Sequence, residues 1–146
     1  TFQRSKDIMS LYSKNSILIG DSGCCQLAKM VNQICIVGLI QGLAEGINFG
    51  KKAGLDMNKV IDAIKDGAAG SWQMNNRSKT MINNEYNFGF AVDLMRKDLS
   101  ILLNKGSEIR ADLTITKLVD DFYQDLQKLG RGNFDTTALL SRLEDL

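Results

Sequence analysis

The sequence contains no histidine, no proline and only three cysteines. Without histidine the chain lacks the commonest general base and the commonest metal ligand of proteins, and we expect no metal site. Cys24, Cys25 and Cys35 form neither a C-x-x-C motif nor a disulfide framework. We therefore interpret them as reduced thiols of a cytoplasmic protein. The lack of proline, where average usage of about 5% predicts roughly seven residues, indicates compositional drift and carries no functional information.

An excess of charge of one sign is also missing. The 18 basic and 17 acidic residues give a formal net charge of +1 and are spread along the chain. We therefore expect neither a nucleic-acid partner nor a membrane surface as partner. No signal-peptide pattern is present, and the chain begins at Thr1 within a predicted helix, as a piece of a longer protein would. Its 146 residues, 44% of them hydrophobic, suffice for one domain with a single core.

Apolar residues recur at helical spacing along most of the chain, loops are short, and no hairpin signal appears. The only strand-like run is residues 16–19, which ends at Gly20. These apolar residues form stripes along the predicted helices, and the stripes place Ile64, Leu94, Ile115 and Leu118, among others, on buried helix faces. We predict an all-α fold, a helical bundle built around one long central helix. Seven helices are predicted. The first three are residues 2–12, residues from about 24 to 53 closed by Gly54, and a helix that Asp56 caps and that ends before Gly67. The other four run from the Ser71 cap to about 82, from 91 to 104, along the apolar stripe from Ile115 to Leu129 and its stop at Gly130, and onward from Asp135.

The long helix carries glycines at four-residue intervals, Gly38, Gly42, Gly46 and Gly50. Each interior glycine costs about 1 kcal/mol of helix stability relative to alanine, so four of them need a compensating role. Such a ridge lets another backbone approach closely, in this subunit or in another. In a bilayer the same spacing would indicate a transmembrane contact face, but polar side chains interrupt the apolar run. We interpret the helix as a core helix, with packing inside the chain alone as the alternative.

Residues 20–33 carry the most chemistry, because a glycine-rich turn leads straight into this long helix. The helix start offers unpaired backbone N–H groups that suit a carboxylate, and Gly23 lies there. Lys29 follows one turn later, where the helix dipole and burial would favour loss of its proton. Asn32 and Gln33 project beside it at i+3 and i+4, with Asn32 the favoured ligand contact. The pattern predicts an active-site wall in which Lys29 is a catalytic acid/base.

Two further positions are candidates for the site. Trp72 follows the Ser71 helix start, where a core position and a pocket wall are about equally plausible. Asp98 falls inside an apolar stripe, between Leu94 and Leu102, with Lys97 at the edge. A carboxylate on a buried face is unfavourable unless it is paired. Asp98 would orient Lys29 or an amide, or else form a structural ion pair.

Residues 20–33 resemble the G-x-x-G-x-G-x-x-x-K-x-x-N signature of the β-hydroxyacid dehydrogenases, the group of 3-hydroxyisobutyrate dehydrogenase and tartronate semialdehyde reductase. The resemblance covers about residues 1–145, and its motifs are highly specific as a set. One departure is Cys25, where the signature has its last glycine. The matching motifs are Ala44-Glu45-Gly46, Gly54-Leu55-Asp56, Gly70-Ser71-Trp72, Phe88-Gly89-Phe90, Lys97-Asp98-Leu99 and Asp135-Thr136-Thr137-Ala138.

The resemblance implies the C-terminal domain of a two-domain dehydrogenase for small β-hydroxyacids. Residues 1–19 would be the tail of a preceding Rossmann domain, and 20–146 the all-α substrate and oligomerisation domain. No G-x-G-x-x-G follows a strand here, so NAD or NADP would be bound mainly by that other domain. In the families that the chain resembles, the lysine of the K-D-L motif lies by the nicotinamide. The assigned site residues are Lys29 (catalytic), Gly23, Asn32, Gln33, Ser71 and Trp72 (substrate), and Phe90, Lys97 and Asp98 (cofactor).

Two other functions remain open at this point. An enzyme of the 6-phosphogluconate dehydrogenase type would need an arginine or lysine cluster for its phosphorylated substrate, and the sequence shows none near Lys29. A helical module that keeps the fold for assembly but has lost catalysis is the second. For the enzyme we expect a homodimer or homotetramer in the cytoplasm, and no activity from this chain alone.

Overall fold

The computed structural model describes residues 2–145, and this part of the chain is helical with no β-strand. The all-α prediction is therefore confirmed. The elements are α1 (Phe2–Ser10), α2 (Cys24–Lys52), α3 (Met57–Ile64), α4 (Trp72–Ile82), α5 (Val92–Glu108), α6 (Thr114–Lys128), a 3-10 turn (Thr136–Ala138) and α7 (Leu139–Glu144).

Helix α2 is the centre of the bundle, because α3, α4, α5, α6 and α7 all pack against it. Its inner face is fully buried and meets apolar residues of α5, α6 and α7. At its C-terminal end the Lys51 ammonium bonds the Glu144 carboxylate at 2.7 Å and the Ile82 carbonyl at 3.2 Å. These contacts fix α4 and α7 to one end of α2 and leave the Lys29 end open. The buried face consists of Val37, Ile40, Ala44 and Ile47.

The helix ends predicted from capping residues are confirmed, whereas α5 continues to Glu108, four residues beyond the predicted end at 104. Gly54 has φ 76°, and the N–H groups of Gly54 and Leu55 bond the carbonyls of Lys51 and Gly50. This pair of bonds closes α2 as a Schellman motif. Asp56 caps α3 through the N–H groups of Asn58 and Lys59. The helix starts at Ser71 and Asp135 and the stop at Gly130 are likewise observed.

Some residues that the sequence analysis placed on buried helix faces lie on exposed faces. Leu94 is 51% exposed and Ile115 64% exposed, and Ile64 and Leu118 are also exposed. In α6 the buried face includes Asp120, because the Arg96 guanidinium of α5 pairs with its carboxylate at 3.0 Å. With Asp120 on the buried face of α6, part of the predicted apolar stripe faces outward.

The strand expected at residues 16–19 is not formed. A strand needs a neighbour to pair with, and the described residues contain only one isolated bridge, between Ala91 and Asp135. Ile17 is 71% exposed. Helix α1 ends at Ser10, two residues before the predicted Tyr12, and buries no side chain.

Only one glycine of the ridge packs closely inside this chain. A Cβ on Gly50 would collide with the Met57 side chain, whereas a Cβ on Gly38, Gly42 or Gly46 would meet nothing within 4 Å. These three glycines form the floor of an apolar groove of about 360 Å3, which we call the glycine groove. Packing inside the chain therefore does not account for them. The groove is walled by Leu39, Met57, Val60, Ile61, Ile64, Ala69 and Met74.

By length and hydropathy α2 could also cross a membrane, with a mean hydropathy of 1.5 over its apolar stretch. The polar side chains of α2 do not shorten that stretch as much as the sequence analysis supposed. A core helix of a soluble protein meets the same criteria, and α2 forms the core here.

Candidate active site

Lys29 and Asp98 meet where α2 crosses α5. The Lys29 ammonium lies 3.0 Å from Asp98 Oδ2, and the Gln33 amide donates to the same oxygen at 2.9 Å. On the other side Lys97 Nζ lies 3.3 Å from Asp98 Oδ1. The sequence analysis expected Asp98 to orient Lys29 or an amide, or else to form an ion pair. The structure shows contacts of Asp98 with Lys29, Lys97 and the Gln33 amide.

Asp98 is buried, with 9% of its side chain exposed. Burial raises the pKa of Asp98, but the hydrogen bonds from Lys29, Gln33 and Lys97 lower it by more, so that it lies below its usual value. Asp98 is thus a carboxylate at neutral pH. Because two ammonium groups surround one carboxylate, the cluster carries a net charge of +1.

Lys29 itself is 62% exposed. The sequence analysis expected burial of Lys29, which would favour loss of its proton. In this chain the side chain is not buried, although its ammonium contacts buried Asp98. The Lys29 ammonium is held by the contact with Asp98 of α5 and not by an apolar pocket.

The two amides after Lys29 have different places. Gln33 is buried, and its Oε1 accepts from Asn32 Nδ2 at 3.1 Å. Asn32 is exposed and lines neither of the clefts beside Lys29. Gln33 therefore lines both clefts, whereas Asn32, which the sequence analysis favoured as the ligand contact, lines neither.

Two clefts share Lys29 and Gln33 as a common border. The first, the lysine cleft, has a volume of about 200 Å3 and the second, the arginine cleft, about 320 Å3. The lysine cleft is lined by Gln26, Lys29, Met30, Gln33, Lys97, Asp98 and Ile101. The arginine cleft is lined by Lys29, Gln33, Ile36, Trp72, Gln73, Arg77, Phe90, Met95, Asp135 and Thr136.

Arg77 enters the arginine cleft from α4, and sequence reasoning missed it. Its guanidinium carbon lies 5.0 Å from the ring centre of Trp72 and 5.1 Å from that of Phe88. These are cation–π distances. Trp72 is 60% exposed and forms a pocket wall, which decides between its two interpretations. Trp72 and Arg77 are five residues apart, which is not a spacing that predicts a contact on a helix. Phe88 comes from the loop after α4, so its contact with Arg77 has no sequence signal either.

Phe90, which the sequence analysis assigned to the cofactor together with Lys97 and Asp98, lines the arginine cleft, whereas those two residues line the lysine cleft. Its backbone N–H donates to Asp135 Oδ2 at 2.9 Å, while the backbone N–H and hydroxyl of Thr137 donate to Asp135 Oδ1. Gly89 precedes it with φ 74°, and a Cβ there would collide with the Asp135 carboxylate. Buried Asp135 therefore fixes the Phe90 backbone at the cleft wall.

Besides Asn32, two predicted substrate contacts, Gly23 and Ser71, lie outside both clefts. Gly23 is the N-cap residue of α2, with φ 98°, and is exposed beyond the lysine cleft. Ser71 caps α4 by accepting from the Met74 N–H at 3.0 Å and lines the glycine groove. Cys25, in the place of the signature glycine, is exposed.

Residues 23–143 match the family model described as NAD-binding of NADP-dependent 3-hydroxyisobutyrate dehydrogenase. The chain belongs to this family. An uncharacterized oxidoreductase of Shewanella frigidimarina is 52% identical over 98% of the chain and 49% of its own length. A probable mitochondrial 3-hydroxyisobutyrate dehydrogenase-like protein of Arabidopsis thaliana is 37% identical over 100% of the chain and 43% of its own length. The 2-hydroxy-3-oxopropionate reductase of Escherichia coli is 31% identical over 98% and 49%.

Among solved structures, 3-hydroxyisobutyrate dehydrogenase from Salmonella typhimurium superposes with a TM-score of 0.86 at 24% identity. The alignment covers 96% of this chain and 50% of that one. At this identity the likeness shows the fold. The family member described here thus spans about half the length of the curated relatives that it matches.

Proposed function

We propose that this chain is the helical half of an NAD(P)-dependent oxidoreductase that acts on a small β-hydroxyacid, with Lys29 as its acid/base. The observation that carries the proposal is the shared border of the two clefts. Lys29 lies on it, within hydrogen-bond distance of Asp98, and so faces both a lysine-rimmed cleft and a larger cleft with aromatic walls. A group at such a border can exchange a proton with a substrate in one cleft beside a cofactor in the other.

In the oxidation direction Lys29 acts as the neutral amine and accepts the hydroxyl proton of the substrate, and the resulting ammonium returns that proton in the reduction direction. Asp98 holds the lysine at the border, and Gln33 holds Asp98 from the buried side. The Gln33 amide also lines both clefts, and its nitrogen is committed to Asp98 Oδ2. Asp98 and Gln33 are therefore positioning residues for the proton-transfer step.

The lysine cleft fits a nicotinamide cofactor in charge and in surface. Lys97 makes its rim positive, while Met30 and Ile101 give it an apolar wall. When bound, NAD or NADP supplies the hydride acceptor or donor for the carbinol carbon of the substrate. We assign Lys97 to this side, and we propose that the pyrophosphate is held by a preceding Rossmann domain, of which residues 1–19 are the tail. The described residues contain no strand followed by a phosphate-binding glycine turn.

The substrate class follows from the relatives together with the clefts. The names of two relatives, which share 37% and 31% identity with this chain, contain 3-hydroxyisobutyrate and 2-hydroxy-3-oxopropionate as substrates. We propose a substrate of this class, in a cytoplasmic enzyme that is a homodimer or homotetramer. The glycine groove supports self-association, since nothing in the described chain fills it.

The test is an activity assay of the complete protein that contains this chain. Each of NAD and NADP is combined with 3-hydroxyisobutyrate, and each reduced cofactor with 2-hydroxy-3-oxopropionate, while nicotinamide absorbance is followed. We expect turnover with at least one pair. A folded protein that binds cofactor but turns over neither acid would overturn the proposal and favour the non-catalytic assembly module.

A further inference from the structure

The guanidinium of Arg77 is held in place without an ionic partner. Among residues 2–145 no carboxylate lies within ion-pair distance of it, and its hydrogen bond to the Asn76 carbonyl is long, at 3.5 Å. Trp72 and Phe88 hold the guanidinium, each with its ring centre about 5 Å away. Aromatic rings contact the face of a guanidinium and leave its N–H edge free for other ligands.

The surroundings of Arg77 do not neutralise it. Asp135 lines the same cleft, but its two oxygens already accept three hydrogen bonds, from Phe90 and Thr137. The other cation of the cleft, Lys29, is paired with Asp98. The arginine cleft therefore offers one half-buried positive group whose donors have no anion to bind.

We propose that Arg77 binds a carboxylate of the hydroxyacid substrate and thereby determines which hydroxyacids the arginine cleft accepts. This inference rests on the proposed function for the identity of the substrate. An arginine fork matches a carboxylate with two parallel hydrogen bonds, and a fork already fixed by two rings loses little freedom on binding. The carbinol of the same substrate then lies toward Lys29, at the border of the cleft.

The cleft volume of about 320 Å3 is within the range of roughly 300–1,000 Å3 that is typical of small-molecule sites. Two substrate types would use Arg77: an acid whose single carboxylate binds there, and an acid that carries a second, terminal carboxylate for it. Both share the same recognition chemistry, and the kinetic experiment distinguishes them.

The first experiment measures KM and kcat of the complete enzyme with Arg77→Gln, Arg77→Lys and the control Lys79→Gln. Lys79 is exposed on the same helix and lines neither cleft. We expect Arg77→Gln to raise KM roughly 10-fold or more, because a charge-assisted pair is lost, with a much smaller change in kcat. Arg77→Lys recovers part of the loss, and Lys79→Gln leaves both constants unchanged. An unchanged KM in Arg77→Gln overturns the inference.

The comparison of acids uses one hydroxyacid with a single carboxylate and one with an added terminal carboxylate. A KM increase for both acids in Arg77→Gln shows that the single carboxylate binds there. An increase for the diacid alone shows a site for the second carboxylate.

The second experiment needs no turnover, because Trp72 is the only tryptophan of the chain and contacts Arg77. The 146-residue chain is titrated with succinate, or with neutral succinamide as control, at constant ionic strength. We expect a saturable change in tryptophan fluorescence with succinate alone, retained in Lys79→Gln and lost in Arg77→Gln. Equal responses in the two variants, or none in the wild type, overturn the inference even if the enzyme assay fails.

Discussion

Lys29 Nζ and Asp98 Oδ2 lie 3.0 Å apart, and they join the two helices that separate the clefts. Asp98 is buried and Lys29 is mostly exposed. The carboxylate is therefore the buried partner of this pair, and the lysine is the partner that solvent reaches.

In the complete protein, Lys29→Ala should reduce kcat by roughly 10²–10⁴-fold, the contribution typical of a general acid/base. The fold should persist, since the Lys29 side chain is 62% exposed. Turnover and circular dichroism check the two statements. Lys59→Ala is the control, because that lysine is 85% exposed on α3 and lines neither cleft. Near wild-type turnover in Lys29→Ala would remove the lysine from the mechanism.

Asp98→Asn should lower the free energy of unfolding at neutral pH by about 1–2 kcal/mol, because hydrogen bonds to a charged group are lost. The folded-state pKa of Asp98 lies below its usual value, with burial opposed by stronger hydrogen bonds. Its contribution is therefore present above the unfolded pKa of about 4 and is lost as pH falls through the folded value. Denaturant titrations of both proteins from neutral to acid pH should converge. A constant difference, or an equal effect from the exposed control Asp66→Asn, would contradict this prediction.

Tyr123→Phe should change stability at alkaline pH. Tyr123 is fully buried, its hydroxyl donates to the Thr136 carbonyl at 3.2 Å, and burial, together with the Asp135 charge, raises its pKa. A raised folded pKa gives stability that is complete below the unfolded value near 10 and is lost as pH rises above it. The variant should be about 1 kcal/mol less stable at neutral pH. Above pH 10 or so the wild type should lose stability faster, and parallel curves would show that Tyr123 does not titrate on unfolding.

The 146-residue chain alone should bind neither NAD nor NADP with micromolar affinity. The lysine cleft can contact one end of a dinucleotide, but the described residues include no glycine turn after a strand to hold its phosphates. Calorimetry of the chain with each cofactor is the direct measurement, with the complete protein as the positive control. Micromolar binding by the chain would place the cofactor site within these residues.

Gly42→Leu should disrupt a symmetric oligomer of the domain. The glycine groove is open in this chain, and close backbone approach by a second copy is the compensation we propose for its helix-weakening glycines. Leucine overpacks such a contact. Sedimentation compares wild type, Gly42→Leu and the control Ser100→Leu, which adds the same side chain at an exposed position of α5. A wild type that is monomeric at high micromolar concentration, with Gly42→Leu folded and unchanged in mass, would contradict the prediction.

The sequence predicted the helix ends that carry a cap such as Asp56, Ser71 or Gly54, because caps act locally. It misplaced the ends of α1 and α5, which no such signal marks. It also placed Asp98 beside Lys29, since a carboxylate in an apolar stripe needs a partner. It did not predict Arg77, whose position depends on a ring from the loop after α4. Nor did it predict the exposed Leu94, because the rotation of a helix follows from its neighbours and not from its own stripe.

Asp135 also has a consequence for the order of folding. Its carboxylate joins the chain at Phe90 to the start of the 3-10 turn, across 45 residues of sequence. Closing a loop of that length is entropically unfavourable until the helices within it have formed. We therefore expect the wall made by Phe90, Asp135 and Thr136 to assemble late, after α5 and α6 have packed. A chain truncated before Asp135 would keep Lys29 and Arg77 but would have no closed cleft between them.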